Sequence, residues 1–301
     1  MSKKAKKIYG VIGFPVKHSL SPCMHNAAFK ALGIDAEYKL FEVKTEGLSD
    51  FLNNLKNEGI FGLNVTVPHK IKVREILENK FPYDKYTVQM SPELHYVKIS
   101  GAINTVKREG DKLEYWNTDA AGFLKSLEEE FDPKNKKVLL IGCGGAGRAV
   151  IASLSWKELG VKKIYVNDIR AEAINSAKEY FSQISDYFRK LLEDKLQFIS
   201  TEEIPQIIKK CDLLINATPV GLKADDPLPI EENHLHKDLF VYDLIYNPAE
   251  TKLLKLAKNI GAKTANGLGM LTYQGMASFE IWTNKPAPKE AMGKALLEAI
   301  K

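Results

Sequence analysis

The feature that most constrains the fold of this chain is a glycine-rich turn between an apolar stretch and a helical one. The sequence KKVLLIGCGGAGRAVIASL predicts a buried strand, a turn over residues 142–147 and a helix. In such a turn Gly142 makes the tight bend, and Gly144 lets a pyrophosphate approach the free N–H groups at the start of the helix. A tight turn without a ligand is the alternative. The strand–turn–helix setting, followed by a second strand that ends in the acidic Asp168, favours a dinucleotide site.

Strand and helix patterns alternate along the chain, which is typical of an α/β protein built on parallel strands. We predict an α/β fold with two domains. Residues 1–118 and 268–301 would form a substrate-binding domain, and residues 119–267 a Rossmann-type dinucleotide-binding domain. The C-terminal helices are expected to return to the first domain.

Three local patterns make narrower predictions. Apolar and polar residues alternate over residues 63–67, which predicts a half-buried strand. Ser21 precedes a helical pattern and is expected to cap it. Residues 170–192 are predicted to form one long helical stretch.

Composition narrows the class of protein. Among the 301 residues 45% are hydrophobic and 27% are charged, with a net charge of +5, which is an ordinary globular composition. A basic stripe with interleaved aromatic residues, as a nucleic-acid-binding protein would need, is missing. Cys23, Cys143 and Cys211 lack C-x-x-C spacing, so we expect neither a disulfide framework nor a metal site. With no secretory signal and no apolar run of about 20 residues, a cytoplasmic location is expected.

Polar residues gather where the strands of the first domain are predicted to end, which is where α/β sheets bind ligands. The stretch HSLSP adds two serines at a helix start. Taken singly, each of these residues is better explained as a turn or a cap. Together they indicate a binding site that includes a lysine, whose pKa is readily tuned. The set comprises Ser19, Ser21, Asn64, Thr66, Lys70, Asn104, Asn117, Thr118 and Asp119.

The order of the motifs resembles that of the shikimate dehydrogenase family, from Ile8 to the last helix. The motifs are GFPVKHSLSP, GLNVTVPHK, GAINTV, NTDAAGF, GCGGAGRA, INATPVGL, YDLIYNP and NGLGMLTYQG. The resemblance implies reversible, nicotinamide-dependent reduction of 3-dehydroshikimate to shikimate, a step of aromatic amino-acid and chorismate biosynthesis.

The resemblance also implies roles for single residues. Lys70 and Asp119 would form the catalytic pair, and the two serines would hold the substrate carboxylate. This agrees with the chemistry, since hydride delivery to a carbonyl leaves an alkoxide that needs a proton donor. The implied substrate-binding residues are Ser19, Ser21, Thr66, Lys70, Asn104, Asp119, Tyr246 and Gln274. The implied cofactor-binding residues are Gly142, Cys143, Gly144, Gly145, Ala146, Asn167, Asp168, Ile169, Arg170, Thr218, Leu244 and Gly267.

The cofactor is predicted from the stretch VNDIR, which stands where NADP-using members have Asn-Arg-Thr. Asp168 would accept hydrogen bonds from both ribose hydroxyls of NAD and repel the 2′-phosphate of NADP. We therefore predict a preference for NAD. NADP is the alternative, in which Arg170 would turn toward the phosphate.

Two departures from the family limit these assignments. His95 stands where the family usually has an acidic residue, and residues 80–98 are atypical, so no role is assigned there.

Three other functions stay open. A quinate/shikimate dehydrogenase of quinate breakdown is disfavoured by the serine pair, as is a folate-linked dehydrogenase. A non-catalytic regulator on the same fold is disfavoured by the presence of Lys70 and Asp119. As partners we expect a small-molecule substrate, with no nucleic acid and no membrane, and a homodimer is the assembly to test for.

Overall fold

The structure, a computed structural model, describes residues 6–82, 92–156 and 159–300. Its contacts divide the chain into two compact units. The first unit comprises Met1–Val97, Gly101–Gly122 and Thr272–Lys301, and the second comprises Lys98–Ser100 and Phe123–Leu271. The predicted α/β class is confirmed. The domain boundaries given by the sequence stay a prediction.

The first unit is built on a five-stranded sheet in the order β2-β1-β3-β4-β5. Strand β1 pairs in parallel with β2 and β3, whereas β4 runs antiparallel to β3 and β5. The polar ends of β1 and β3 therefore lie at the same edge. The strands are β1 (Lys7–Gly13), β2 (Ala36–Glu42), β3 (Ile60–Val65), β4 (Thr105–Glu109) and β5 (Lys112–Trp116).

The second unit is built on a six-stranded sheet in which every recorded pairing is parallel. Its order is β11-β10-β9-β6-β7-β8, so the chain winds one way from β6 and the other way from β9. In such a sheet ligands bind beyond the carboxyl ends of the strands where the winding reverses. The strands are β6 (Lys137–Ile141), β7 (Lys163–Asn167), β8 (Leu196–Phe198), β9 (Leu213–Asn216), β10 (Phe240–Asp243) and β11 (Lys263–Asn266).

Helices cover the sheets. They are α1 (Ser21–Ala31), α2 (Leu48–Asn54), α3 (Lys70–Lys80), α4 (Pro92–Ser100), α5 (Thr118–Glu128), α6 (Gly145–Leu154), α7 (Ala171–Gln183), α8 (Asp186–Glu193), α9 (Ile204–Ile207), α10 (Lys252–Asn259), α11 (Leu268–Thr283) and α12 (Lys289–Ala299). Among the residues that the structure describes, no helix has the length and apolar character needed to cross a membrane.

The return of the C-terminal helices to the first unit is confirmed. Helix α12 packs on α1. Trp282 of α11 lies against Tyr9 of β1, and its indole N–H donates a hydrogen bond of 2.9 Å to the carbonyl oxygen of Val106. A Cβ atom on Gly62 would come within 2.5 Å of this indole, so the strand carries a glycine where the tryptophan approaches.

The predicted half-buried strand over residues 63–67 is wrong in two respects. Strand β3 ends at Val65, and Asn64 is buried like its apolar neighbours Leu63 and Val65. The side chain of Asn64 can be buried because protein groups satisfy its hydrogen bonds. The polar position in the alternation marks an internal hydrogen-bond network rather than a solvent-facing side.

Two further local predictions need correction. Ser21 is the first residue of α1 and does not cap it, because the capping position is Leu20, which makes no side-chain cap bond. The predicted long helix over residues 170–192 is two helices, α7 and α8. Ile184 and Ser185 separate them with extended ψ angles of 162° and 150°.

Candidate active site

The predicted catalytic lysine and aspartate are in direct contact within the first unit. Lys70 begins α3, immediately after the loop that follows β3, and Asp119 lies in the first turn of α5. The Nζ atom of Lys70 donates a hydrogen bond to Oδ2 of Asp119, and only 11% and 7% of the two side chains are exposed. A buried charge of this kind is stable only while its partner remains. The contact with Asp119 therefore holds Nζ of Lys70 in a defined place.

Asn104 links this pair to the C-terminal part of the unit. Its Nδ2 donates to Oδ1 of Asp119 at 2.9 Å and to Oε1 of Gln274 at 3.2 Å. Its side-chain oxygen accepts the backbone N–H of Thr118 at 2.7 Å. Asn104 therefore orients the carboxylate that faces Lys70 and brings the predicted residue Gln274 beside it.

Asn64 supports Asn104 from behind. Its Nδ2 donates to the carbonyl oxygen of Asn104 at 3.1 Å and to the hydroxyl of Ser278 at 2.9 Å. The hydroxyl of Tyr38 donates to its Oδ1 at 2.7 Å. All four residues are buried, and a satisfied buried network of this kind fixes its side chains in one arrangement.

Three buried hydroxyls complete the network. Those of Thr105, Thr118 and Ser278 form a triangle with O···O distances of 2.8, 3.0 and 3.1 Å. Tyr38, Thr105 and Ser278 are not among the residues predicted for the site. Nothing in their local sequence marks them, because each hydroxyl joins the network through at least one partner from a distant segment of the chain.

The predicted serine pair lies at the entry to α1. The hydroxyl of Ser19 is 3.2 Å from that of Ser21 and accepts the backbone N–H of Ser21 at 3.3 Å. Ser19 is partly exposed. Thr66 lies beyond β3 in the same unit and is also partly exposed, and its backbone N–H binds the carbonyl oxygen of Ile12. Two adjacent hydroxyls can together donate hydrogen bonds to one carboxylate.

In the second unit, the glycine turn has the geometry that the sequence predicts. Gly142 has a φ of +101°, and a Cβ atom there would lie 2.9 Å from the backbone of Ala217. A Cβ on Gly147 would lie 2.1 Å from the carbonyl oxygen of Gly142, so the turn packs tightly on its helix. At Gly144 the space is open: among the residues that the structure describes, a Cβ atom there would have one neighbour within 4 Å, Nη2 of Arg170 at 3.8 Å. The backbone at Gly144 is thus accessible at the start of α6, where a phosphate would bind.

The carboxylate of Asp168 is occupied by protein donors. Its Oδ2 accepts the N–H of Cys143 at 2.8 Å and Nη2 of Arg170 at 2.9 Å, and its Oδ1 accepts the N–H of Arg170 at 2.9 Å and Nε at 3.1 Å. Burial raises the pKa of Asp168, but these hydrogen bonds outweigh burial and the net pKa is lowered. The Asp168 side chain is 3% exposed, whereas that of Arg170 is 56% exposed. The accessible group at this strand end is therefore a cation.

The other residues of the predicted cofactor set differ in exposure. Ile169 is 83% exposed, beside Arg170. The side chain of Asn167 is buried and donates to the carbonyl oxygen of Ile199 at 3.1 Å, so it supports the loop from inside. Gly145 and Ala146 are partly exposed at the start of α6.

The remaining predicted residues follow β9, β10 and β11 at the carboxyl ends of these strands. Asn216 accepts hydrogen bonds from the backbone N–H and the hydroxyl of Thr218. A Cβ on Gly267 would lie 1.9 Å from the carbonyl oxygen of Leu244, so those two segments meet closely. Tyr246, predicted to bind substrate, follows β10 in the second unit and is partly exposed.

Comparison with known proteins shows to which family this chain is similar. The family described as "Shikimate dehydrogenase substrate binding domain" matches residues 11–82, and "Shikimate 5'-dehydrogenase C-terminal domain" matches residues 267–297. Proteins named shikimate dehydrogenase (NADP(+)) from Methanopyrus kandleri and Methanocaldococcus jannaschii are each 39% identical to this chain. The alignments cover 98% of this chain and 96% and 97% of those relatives.

A solved structure of a protein with the same name is also similar to this chain. A crystal structure of a shikimate dehydrogenase in complex with NADP+ has a TM-score of 0.81 to this chain at 37% identity. The match covers 98% of this chain and 96% of that one.

The predicted preference for NAD is wrong. The relatives are named for NADP(+), and the solved structure holds NADP+. The structure supplies the physical reason, because the charge of Asp168 is paired with Arg170 and its oxygens are filled. A ribose hydroxyl would have to displace these donors, and a 2′-phosphate would meet the exposed guanidinium first.

Proposed function

The chain belongs to the shikimate dehydrogenase family, and from that premise we propose that Lys70 and Asp119 carry out the proton transfer of its reaction. The enzyme is an NAD(P)-dependent oxidoreductase that acts on a CH–OH group, and it interconverts 3-dehydroshikimate and shikimate in aromatic amino-acid biosynthesis. The observation that carries the proposal is the buried contact between Lys70 and Asp119.

The proton chemistry follows from that contact. When bound, the nicotinamide cofactor supplies or accepts the hydride. In the direction of reduction, the ammonium group of Lys70 gives a proton to the substrate oxygen as negative charge develops there. In the reverse direction the neutral amine takes the hydroxyl proton. Asp119 keeps Nζ in place throughout, and Asn104 keeps the carboxylate of Asp119 in place.

Substrate binding is assigned to polar groups around this pair. The hydroxyls of Ser19 and Ser21 bind the carboxylate of the substrate. Asn104 and Gln274 position its ring hydroxyls, which is supported by their contact with each other and with Asp119. Thr66 and Tyr246 complete the set by family resemblance.

The second unit is assigned to NADP. The open backbone at Gly144 and the start of α6 fit a pyrophosphate, which needs N–H donors and close approach. Exposed Arg170 is assigned to the 2′-phosphate, which a guanidinium binds through two N–H groups. Thr218, Leu244 and Gly267 are assigned to the nicotinamide half.

The assay that tests the proposed function follows nicotinamide absorbance with shikimate and with quinate, each against NADP+ and NAD+. Shikimate with NADP+ should give the highest kcat/KM. A higher kcat/KM with quinate would replace the proposal by the quinate/shikimate dehydrogenase alternative. No turnover with either substrate would leave a non-catalytic regulator as the function.

We also propose where the enzyme is located and how it assembles. A cytoplasmic location and a homodimeric assembly rest on the sequence alone. Analytical ultracentrifugation of the purified protein measures the assembly, and cell fractionation measures the location.

A further inference from the structure

A buried carboxylate outside the residues assigned so far lies in the second unit. Asp243 ends β10 and is fully buried. Its Oδ1 accepts the side-chain amide of Asn216 at 3.0 Å and the N–H of Ile245 at 3.1 Å, and its Oδ2 accepts the hydroxyl of Thr251 at 2.7 Å. These donors are all neutral. Burial raises the pKa of Asp243 to about 6, although the three hydrogen bonds act in the opposite direction.

One of these donors leads to a residue assigned to the cofactor. Asn216, at the end of β9, uses its Oδ1 to accept the N–H of Thr218 at 3.1 Å and its hydroxyl at 2.7 Å. The Nδ2 of Asn216 donates to the carbonyl oxygen of Val220 as well as to Asp243. The orientation of the Asn216 amide, and with it the loop that carries Thr218, is therefore set by Asp243.

The second donor leads to the other two residues assigned to the nicotinamide half. The N–H of Ile245 binds Asp243, and its carbonyl oxygen accepts the N–H of Gly267 at 3.1 Å. Leu244, between Asp243 and Ile245 in the chain, donates its N–H to the carbonyl oxygen of Asn216 at 2.9 Å. Asp243 thus holds the backbone on which Leu244 and Gly267 meet.

The strand order places these loops on one side of the glycine turn. Asp168 and Arg170 follow β7, on one side of β6, and β9 and β10 lie on the other side. A dinucleotide that places its adenosine beside β7 and its pyrophosphate on the turn extends its nicotinamide half toward β9 and β10. We propose that Asp243, acting through Asn216 and Ile245, positions the loops that receive the nicotinamide half of the cofactor.

The inference rests on the proposed function, because it assumes that the second unit binds NADP.

The inference also explains why the residue at position 243 carries a carboxylate. Three donors converge on Asp243, and an ionised carboxylate is an acceptor at both oxygens. An asparagine would turn an NH2 group toward at least one donor. The hydroxyl of Thr251 cannot easily reverse its role, since it already accepts the N–H of Leu254 at the start of α10.

Two ligands distinguish positioning of the nicotinamide half from general damage. Isothermal titration calorimetry on the full chain would measure binding of NADP+ and of adenosine 2′,5′-bisphosphate, which lacks the nicotinamide half. For Asp243→Asn we expect NADP+ to bind about ten-fold more weakly, and the bisphosphate to bind within two-fold of the wild-type value.

A matched control is available in the same sheet, at the amino-terminal end of β9. Asp212 also accepts a backbone N–H, that of Lys137 at 2.9 Å, but it precedes β9 instead of following a strand. Asp212→Asn should leave the affinity for both ligands unchanged. Circular dichroism of each variant checks that it is folded.

The outcomes separate the two proposals. If Asp243→Asn binds NADP+ as tightly as the wild type, or weakens both ligands equally, the positioning role is wrong. If the wild-type protein binds neither ligand, the proposed function itself fails. Should Asp243→Asn not fold, Thr251→Val and Thr251→Ser decide in its place. The valine variant should bind NADP+ more weakly but the bisphosphate as the wild type does. The serine variant, which keeps the hydroxyl, should bind both as the wild type does. A valine variant with wild-type affinity for NADP+ would overturn the inference.

Discussion

The two units provide their functional groups in different ways. In the first unit the groups are side chains, and they come from segments far apart in the chain, as the contact of Asn104 with Gln274 illustrates. In the second unit the groups nearest the expected pyrophosphate are backbone atoms of one short turn around Gly144. A site made of side chains is weakened when a substitution removes a functional group. A site made of backbone atoms is weakened when a substitution adds atoms that block the ligand. That contrast decides which substitutions are informative in each unit.

The largest expected effect is in the side-chain site. Asp119→Ala leaves the buried ammonium group of Lys70 without its partner, and removing one partner of a buried pair costs about 3–5 kcal/mol. We expect that loss in the free energy of unfolding, measured by urea denaturation, together with a fall in kcat.

Glu128→Ala is the matched control, because Glu128 is exposed on the same helix α5. It should change neither quantity. An Asp119→Ala variant as stable as the wild type would mean that the buried pair contributes little to the unit.

A smaller effect is expected at the serine pair. Ser19→Ala removes a hydroxyl assigned to the substrate carboxylate, and a hydrogen bond to a charged group contributes about 1.5–3 kcal/mol. The KM for shikimate should rise accordingly, while the dissociation constant for NADP+ stays the same. Steady-state kinetics and a cofactor titration measure the two quantities, and an unchanged KM for shikimate would remove Ser19 from the site.

The backbone site should respond to an added methyl group. The space over Gly144 is open, so Gly144→Ala should fold normally but hinder the approach of the pyrophosphate. We expect NADP+ to bind about ten-fold more weakly, a loss of about 1.4 kcal/mol.

Gly293→Ala is the control for the added methyl group. A Cβ at Gly293 of α12 would meet no atom of the described residues within 4 Å, and it should leave NADP+ binding unchanged. Equal affinities in the Gly144 and Gly293 variants would place the pyrophosphate elsewhere.

The smallest effect is expected at the exposed cation. Arg170→Ala removes a guanidinium that is more than half exposed, so solvent screens its charge and the loss should be about 1 kcal/mol or less. NADP+ should bind a few-fold more weakly and NAD+ should not, whereas Arg189→Ala, which removes a partly exposed arginine from α8, should affect neither. If NADP+ and NAD+ weaken together in the Arg170 variant, the 2′-phosphate lies elsewhere.

The same contrast explains which features could be predicted from the sequence. The turn at Gly142 is predictable because its requirements are local: a positive φ and close approach of the backbone are both met by glycine within one short segment. The α/β class is also predictable from the alternation of strand and helix patterns along the chain, and the return of the last helices is expected with it. Lys70 and Asp119 are indicated as binding residues by their places at strand ends, but only family resemblance makes them a catalytic pair. Contact between them depends on how β3 and α5 are placed.

The support of the side-chain site could not be predicted. Asn64 alternates with apolar residues and therefore has the pattern of a solvent-facing position, yet its partners include Ser278, which is distant in the chain. The sequence of strand β2 does not indicate that the hydroxyl of Tyr38 donates a hydrogen bond to Asn64. Burial of such polar groups depends on tertiary partners, which a local pattern does not contain.

The error over the cofactor has a related cause. The prediction of NAD treats the carboxylate of Asp168 as a free acceptor, although Arg170 two residues later donates three hydrogen bonds to it. An acidic residue indicates a ribose site only when its oxygens are free to accept from the ribose. Here the exposed member of the pair is the cation, Arg170.

The measurement that tests the central claim most directly is made on a single preparation of Lys70→Ala. The claim is that Lys70 transfers the proton in one unit while the other unit binds the cofactor. The kcat should fall by roughly 10²–10⁴, the usual contribution of an acid–base group, and the dissociation constant for NADP+ should equal that of the wild type. Lys72→Ala, which changes an exposed lysine on the same helix, should match the wild type in both. A Lys70→Ala enzyme with near wild-type kcat would contradict the account.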